Sequence, residues 1–533
     1  MAISKSKQRR IGGVISFIGL AISVAITIFY TPFMIKSVGT REYGIYSFVL
    51  SIVTYLDLFT TALAAGYIRF SLLEKKKSPE NAERRVNSLF IAMYFVVSIA
   101  ACLIGILLWI LFRTETIPLD GYSESEKLLA YNVILISVVC LSARIPFIVF
   151  QSNIYYKEQY VVANAVALTG KLFTTCASLL YLLLSKEKSV LIIAIIQYSW
   201  TLIEVVFEVI FSKKHLKIGF LRVNEYLERK KELKSLLRSI LVFSFFVLIN
   251  SLVDILDNGV GKTVLGFLDP HLVTIFTLSI GFNVYLQSMA SFVVALFQTE
   301  AADAALNEKD GVHMNSVFHK TSRIILLLMF FVVGGFVASG RPFCFAWLAD
   351  NEEISSSEIT SIYYYAAAVL ACSIWPNSTY LSLTIRRAKN MHKVPAIFYI
   401  LASCLNIGVS VLLVNVLPKE YAVLGCVMGH CLSTVLVKWV LLPVYDSRKV
   451  GLTMKPVFWY FIKDLLIASG CAAAGIGLGF LIGDHIQSKW LLFLICAFAY
   501  VVLFGGCAFL FEKEAIRSVL LIRRKADRPD KLQ

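Results

Sequence analysis

Charged residues are scarce in this chain of 533 residues. Only 16% are Asp, Glu, Lys or Arg, whereas 58% are hydrophobic, and the mean hydropathy is +0.74. A globule of this length needs more polar surface than that to remain in water. The composition therefore excludes a water-soluble protein and indicates an integral membrane protein.

Metal-binding and processing motifs are missing as well. The eleven cysteines fall almost wholly within apolar stretches, with no C-x-x-C spacing and no cysteine–histidine cluster, so we interpret them as small packing residues. We expect no bound metal and no cofactor. The first apolar stretch, residues 11–35, lacks a small-residue cleavage site and predicts a first membrane helix instead of a signal peptide.

What the chain does contain is fourteen apolar stretches between Ile11 and Phe511. Each is about long enough to cross a bilayer as a helix. Backbone groups in lipid must be satisfied within the spanning element, and runs of this length suit helices better than the alternating strands of a barrel. We therefore predict an all-α integral membrane protein with about fourteen transmembrane helices.

Basic residues cluster in every second gap between these stretches. About 36 Lys and Arg fall on the side of the N-terminus and about 8 on the other, which by the positive-inside rule makes both termini cytoplasmic. This topology, together with attraction to anionic membrane lipids, accounts for the formal charge of +16. Because the cations lie in separate short loops, we expect no nucleic-acid partner.

A shift of about 230 residues lays Val38–Phe70 over Leu268–Glu300, each a short turn entering a helix rich in Tyr, Phe, Ser and Thr. Six helices separate the two copies, so they keep the same orientation. We predict two pseudo-symmetric six-helix lobes facing each other across a central cavity. The predicted parts are an N-terminal six-helix lobe at 1–212, a basic cytoplasmic connector at 213–238, a C-terminal six-helix lobe at 239–445, and two additional helices with a basic tail at 446–533.

Several ionisable residues lie at bilayer depth, where they are costly and usually face a bundle interior or an aqueous path. Such a path suits a large polar, anionic cargo, since cations attract phosphate and carboxylates accept hydrogen bonds from hydroxyls or bind a coupling H⁺ or Na⁺. A structural role, such as pairing of Lys171 with Glu204, stays open. The candidate substrate-binding residues are Arg69, Arg144, Lys171, Lys262, Asp57, Asp254 and Asp257, and the candidate coupling-ion residues are Glu204 and Glu208.

Three local patterns point to a known family. They are Thr31–Phe70, with Pro32, Val38-Gly39, Glu42-Tyr43-Gly44-Ile45-Tyr46-Ser47 and Arg69-Phe70; Asn390–Val414; and Leu424-Gly425-Cys426 to Thr434. The chain resembles the bacterial Wzx-type polysaccharide flippases of the multidrug/oligosaccharidyl-lipid/polysaccharide exporter superfamily. It departs from that pattern where Thr60 stands at a usually acidic position, and Asp57, one helical turn earlier, is a candidate replacement.

The resemblance implies a multi-pass protein of the bacterial cytoplasmic membrane. Its implied cargo is an oligosaccharide unit linked through pyrophosphate to a polyprenyl lipid, which it flips across the membrane by alternating access. The flipped units serve the synthesis of a surface polysaccharide (lipopolysaccharide or capsule). In that reading the four cations contact phosphate or head group, and Asp57, Asp254 and Asp257 contact sugar or the coupling ion. Membrane lipids, a polysaccharide polymerase and glycosyltransferases are the implied partners. The protein is then a transporter, not an enzyme.

Three other functions remain open on the sequence. A drug or cation antiporter of the same superfamily would share the lobes and the buried carboxylates. A membrane polysaccharide polymerase or glycosyltransferase is disfavoured by the short outer loops, and a scaffold that transports nothing is disfavoured by the buried charges.

Overall fold

The computed structural model consists of helices joined by short turns. It describes residues 5–511 except 78, 223–224, 226–229, 308–309 and 392, and among these residues there is no β-strand. Within that part of the chain, thirteen helices are long and apolar enough to cross a membrane. The remaining predicted span lies in a further helix of 37 residues, Lys230–Gly266. The predicted all-α membrane architecture is confirmed.

The chain forms two compact units, Met1–Thr274 and Ile275–Gln533. Helices of the first unit are α1 (Lys5–Val38), α2 (Thr40–Lys77), α3 (Ala82–Arg113), α4 (Glu124–Arg144), α5 (Ile148–Tyr156), α6 (Tyr160–Leu184), α7 (Val190–Lys214) and α8 (Lys230–Gly266). Helix α9 (Pro270–Asn307) begins in the first unit and continues into the second. The second unit adds α10 (Val312–Trp347), α11 (Ser356–Ser378), α12 (Leu381–Ala388), α13 (Lys393–Val416), α14 (Ala422–Ser433), α15 (Leu442–Tyr445), α16 (Lys455–Gly483) and α17 (Lys489–Phe511).

Large apolar side chains cover much of the outer surface of these helices. Leu184 is 80% exposed, Leu481 77% and Phe498 71%. Such exposure is a liability in water but is the expected surface where the solvent is lipid. The chain is thus a multi-pass membrane protein.

The internal repeat predicted from the sequence is visible in the helix boundaries. Helix α2 begins at Thr40 and α9 at Pro270, 230 residues later, and both helices are 38 residues long. Helices α3 and α10 also begin 230 residues apart, and each is preceded by a residue in the left-handed region, Asn81 at φ 55° and Gly311 at φ 65°. The same local geometry therefore starts the third helix of both copies.

The fourth helix of each copy starts with the same chemistry. Ser123 and Ser355 each accept a hydrogen bond from the backbone of a glutamate three residues later, whose carboxylate bonds back to the serine N–H. This reciprocal capping box satisfies two N–H groups that a helix start otherwise leaves without partners. Pro146 follows the end of α4 and Pro376 lies in the last turn of α11, 230 residues apart, and proline removes a backbone donor and bends or breaks a helix.

Helix α8 packs against α2 within the first unit. Phe243 meets Phe70 edge to face with ring centroids 5.8 Å apart, and the hydroxyls of Thr263 and Ser51 lie 3.2 Å apart. The first compact unit thus continues beyond residue 212, the predicted end of the first lobe, and beyond the predicted connector at 213–238. The assignment of functional lobes and of a cavity between them stays a prediction.

The start of the predicted connector is fixed to α3. The N–H of Leu221 donates to Oγ of Ser88 at 2.7 Å, and Nδ2 of Asn87 donates to the carbonyl of Gly219 at 2.9 Å. These bonds hold residues 219–221 against the first unit.

Candidate functional site

The break between α4 and α5 places a guanidinium inside the first unit. Arg144 is the last residue of α4, and the 3₁₀ turn Ile145–Phe147 follows it, with Pro146 in the turn. Arg144 is half-buried. The guanidinium of an arginine stays charged at any physiological pH and offers five N–H donors. Within a bundle of membrane helices it is therefore suited to bind an anion.

The positive charge of Arg144 influences three carboxylates on neighbouring helices. Its charge acts on Asp57 of α2 and on Glu204 and Glu208 of α7. Glu208 is only 6% exposed and is hydrogen-bonded to Gln151 of α5. The fold therefore brings together four of the charges selected from the sequence, from three different helices. We name Asp57, Arg144, Glu204 and Glu208 the charged cluster.

Charge balance gives this cluster its chemical character. The cluster contains three carboxylates and one guanidinium, and Glu204 and Glu208 repel each other. Ionised carboxylates at bilayer depth are costly unless paired or hydrated. The surplus of acidic groups can be relieved by protons, by a cation, or by hydroxyl donors of a polar ligand.

Thr60 and Asp57 act as a pair in α2. Oγ1 of Thr60 donates to Oδ1 of Asp57 at 2.5 Å or to its carbonyl at 2.6 Å. Thr60 is buried, whereas Asp57 is half-buried. The hydroxyl of Thr60 thus orients the carboxylate of Asp57, the candidate replacement for the acidic group that is usual at position 60.

A buried polar network that sequence reasoning missed lies nearer the predicted cytoplasmic end. The hydroxyl of Tyr67 donates to Oδ1 of Asn87 at 2.6 Å and accepts from Nδ2 of Asn153 at 3.0 Å. These residues belong to α2, α3 and α5, so the network joins three helices. Two asparagines close to the ends of predicted membrane helices were the signal for it, because interhelical hydrogen bonds are a common use of such residues in membranes.

Two candidate cations make other contacts. Arg69 is exposed, and its guanidinium lies 4.5 Å from the ring centre of Phe243 on α8. Lys171 is exposed on α6, and its Nζ donates to Oγ of Ser23 on α1 at 2.7 Å. Their roles as substrate contacts stay predictions.

The remaining candidates lie on α8. Lys262 is half-buried. Asp254 and Asp257 belong to the same helix, but their side chains fall outside the described residues. In the described part of the chain no three His, Cys, Asp or Glu side chains form a group that could hold a metal ion.

Comparison with known proteins identifies the fold. No family model matches the chain. It is 23% identical over 438 residues to the uncharacterized membrane protein EpsK of Bacillus subtilis (strain 168), covering 81% of each chain.

Two solved structures share its helical arrangement. A structure of the lipid II flippase MurJ in an inward closed conformation gives a TM-score of 0.70 at 13% identity, covering 95% of this chain and 99% of MurJ. An inward-facing multidrug resistance MATE family transporter of the MOP superfamily gives 0.56 at 11% identity, covering 79% and 95%. The chain therefore has the fold of these membrane transporters.

Proposed function

We propose that this protein is a flippase that moves polyprenyl-pyrophosphate-linked oligosaccharide units across the cytoplasmic membrane by alternating access, for surface polysaccharide synthesis. The observation that carries the proposal is the charged cluster, in which Arg144 acts on three carboxylates within a unit of membrane helices. The shared fold with a lipid II flippase supports it. A polysaccharide polymerase and glycosyltransferases are the proposed partners.

The cluster offers the groups that such a cargo needs. Sugar hydroxyls and a pyrophosphate cannot enter hydrocarbon unpaired, since each buried polar group costs several kcal/mol. The guanidinium of Arg144 matches phosphate oxygens with two parallel donors, and the carboxylates accept hydrogen bonds from hydroxyls. The lipid tail can stay in the bilayer meanwhile.

The acidic surplus also provides for coupling. Glu204 and Glu208 are four residues apart on one face of α7, and uptake of H⁺ or Na⁺ there would relieve their mutual repulsion. Transport in proteoliposomes under imposed proton or sodium gradients tests this role. A rate that neither gradient changes would remove it.

Charge removal at single sites tests the cargo assignment. We expect Arg144→Ala to reduce surface polysaccharide at least tenfold at normal protein level in the membrane, because it removes the guanidinium whose charge acts on all three carboxylates. The matched control is Arg113→Ala, which removes an exposed arginine stacked 5.7 Å from the ring centre of Tyr131. Normal export from both Arg144→Ala and Lys171→Ala would reject the phosphate role.

A drug or cation antiporter is the second candidate, favoured by the excess of carboxylates and by the likeness to a MATE transporter. Cationic drugs would be drawn to Asp57, Glu204 and Glu208. A deletion strain that gains drug sensitivity but keeps its surface glycan would support this function over the flippase.

A further inference from the structure

Three turns of the first unit meet on its predicted outer side, and Arg41 joins them. Its guanidinium binds Glu126 through two bonds, from Nε to Oε1 at 2.5 Å and from Nη2 to Oε2 at 3.0 Å. Nη1 donates to Oδ1 of Asp269 at 2.8 Å, and Nη2 also donates to the carbonyl of Gly121 at 2.6 Å. One side chain at the start of α2 thus holds both the α3–α4 loop and the α8–α9 turn.

Two glycines make the socket for the α8–α9 turn. A Cβ added at Gly121 would lie 1.8 Å from the carbonyl oxygen of Leu268, and one added at Gly44 would lie 1.8 Å from that of Pro270. Any side chain at either position would push the backbone of the turn away. The turn therefore fits closely only because both positions lack a Cβ.

Further hydrogen bonds connect the same elements. The hydroxyl of Tyr122 donates to the carbonyl of Gly266 at 2.5 Å. Oγ1 of Thr274 donates to the carbonyl of Thr40 at 2.6 Å, and the ring of His271 is 2.9 Å from Oγ1 of Thr40. The first turn of α9 is thus fastened to the first turn of α2, its counterpart in the internal repeat.

The ion pairs at this joint remain accessible to water. The side chains of Arg41 and Asp269 are each 39% exposed, and that of Glu126 is 16% exposed. Water can take the place of either partner in an exposed ion pair at small cost, so these two pairs can open and re-form. Contacts of this kind can be exchanged repeatedly, unlike a dry apolar seam.

We propose that Arg41, Glu126 and Asp269 form a latch that closes the predicted outer end of the first unit, and that it must open in every transport cycle. The α8–α9 turn leaves the glycine socket when the latch opens. The export readout rests on the proposed function, whereas the opening of the latch is measured without any substrate.

A reversible cross-link tests whether the latch must open. Arg41→Cys and Asp269→Cys are combined and joined by a membrane-impermeant bis-thiosulfonate added outside the cell. We expect export to fall at least tenfold after cross-linking and to recover when a reductant cleaves the link. Glu115→Cys with Lys127→Cys is the matched control, because this pair is also an outer ion pair, 2.8 Å long, within the α3–α4 region. Normal export from the cross-linked latch, with linkage verified by mass, would overturn the proposal.

A second measurement needs no cargo. Thr263 lies on α8 just before the turn, half-buried and 3.0 Å from the hydroxyl of Tyr55. In Thr263→Cys, the rate of labelling by an impermeant maleimide from outside should rise about fivefold on adding Arg41→Gln, the population change that about 1 kcal/mol gives. Lys127→Gln should leave the rate unchanged.

The outcomes separate the two proposals. Equal labelling rates with Arg41→Gln and Lys127→Gln would reject the latch whatever the cargo is. If labelling changes as expected but no glycan export depends on the protein, the latch stands and the proposed function fails. Asp269→Asn replaces Arg41→Gln if that variant is not recovered from membranes.

Discussion

Arg85 and Glu74 form an ion pair almost sealed from water. Nε of Arg85 is 3.1 Å from Oε2 of Glu74, and the side chains are 3% and 11% exposed. Nη1 of Arg85 also donates to the carbonyl of Glu80 at 2.7 Å. The substitution Arg85→Ala would leave the carboxylate of Glu74 without this cation in a place that water scarcely reaches.

The size of the loss follows from burial. Breaking a buried pair by removing one partner costs about 3–5 kcal/mol, because the remaining charge is neither paired nor hydrated. The preceding residue gives a matched comparison. Arg84 is 34% exposed and lies 3.4 Å from Glu225, and its guanidinium also donates to the carbonyl of Phe220. Arg84→Ala should cost only about 1–2 kcal/mol.

The assay is unfolding of the purified protein in one detergent, followed by intrinsic fluorescence, with all variants compared side by side. We expect Arg85→Ala to lose at least about 1 kcal/mol more free energy of unfolding than Arg84→Ala loses. Adding Glu74→Gln to Arg85→Ala should recover part of the loss, because a neutral amide is less costly to bury than a carboxylate. Equal losses at positions 84 and 85, or no recovery in the double variant, would refute the reasoning.

Two further substitutions probe the packing of the helices. Gly121→Ala should cost about 1–3 kcal/mol of unfolding free energy because its Cβ meets a backbone carbonyl. Its control Gly281→Ala, with nothing within 4 Å of the new Cβ, should be neutral or stabilising. Thermal shifts of equal size in the two variants would contradict this prediction. Tyr67→Phe should cost about 1–3 kcal/mol of unfolding free energy because Asn153 loses a buried hydrogen-bond partner. Its control Tyr364→Phe alters a side chain that is 58% exposed and should change the unfolding free energy by no more than about 0.5 kcal/mol. Coinciding unfolding curves of the two variants would exclude a stabilising role for the Tyr67 network.

The sequence predicted the helical membrane architecture and the repeat well. A hydrocarbon solvent leaves few choices to the backbone, so the length and apolarity of a stretch nearly determine that it is a helix. The capping serines at 123 and 355 and the prolines at 146 and 376 are local signals, and local signals are readable without a fold.

The roles of the candidate site residues stay predictions. Depth and charge selected Asp57, Arg144, Glu204 and Glu208, and in the structure the charge of Arg144 acts on the other three. The same criteria selected Lys171, whose Nζ donates to Oγ of Ser23, and its role as a substrate contact stays a prediction. The depth of a residue along a helix can be counted in residues, but which neighbour its side chain contacts depends on how the helices pack. A helix that is apolar on all sides has no polar face from which its orientation could be inferred.

The outer latch was missed for a related reason. Arg41 was not among the candidate residues selected from the sequence, and its partners Glu126 and Asp269 lie 85 and 228 residues away. Nothing in one chain indicates which loop charges will meet when several loops share one side of the membrane.

The sequence by itself determined what the protein is made of: membrane helices, their ends, their internal repeat and the ionisable residues they carry. These follow from the solvent that each segment prefers and from hydrogen bonds within a few residues. Only the tertiary structure decided which charges act together, because pairing depends on helix rotation and packing, which are set by contacts between segments far apart in the chain. For that reason Arg144 belongs to the charged cluster, and Arg41 in the first turn of α2 holds the α3–α4 loop and the α8–α9 turn.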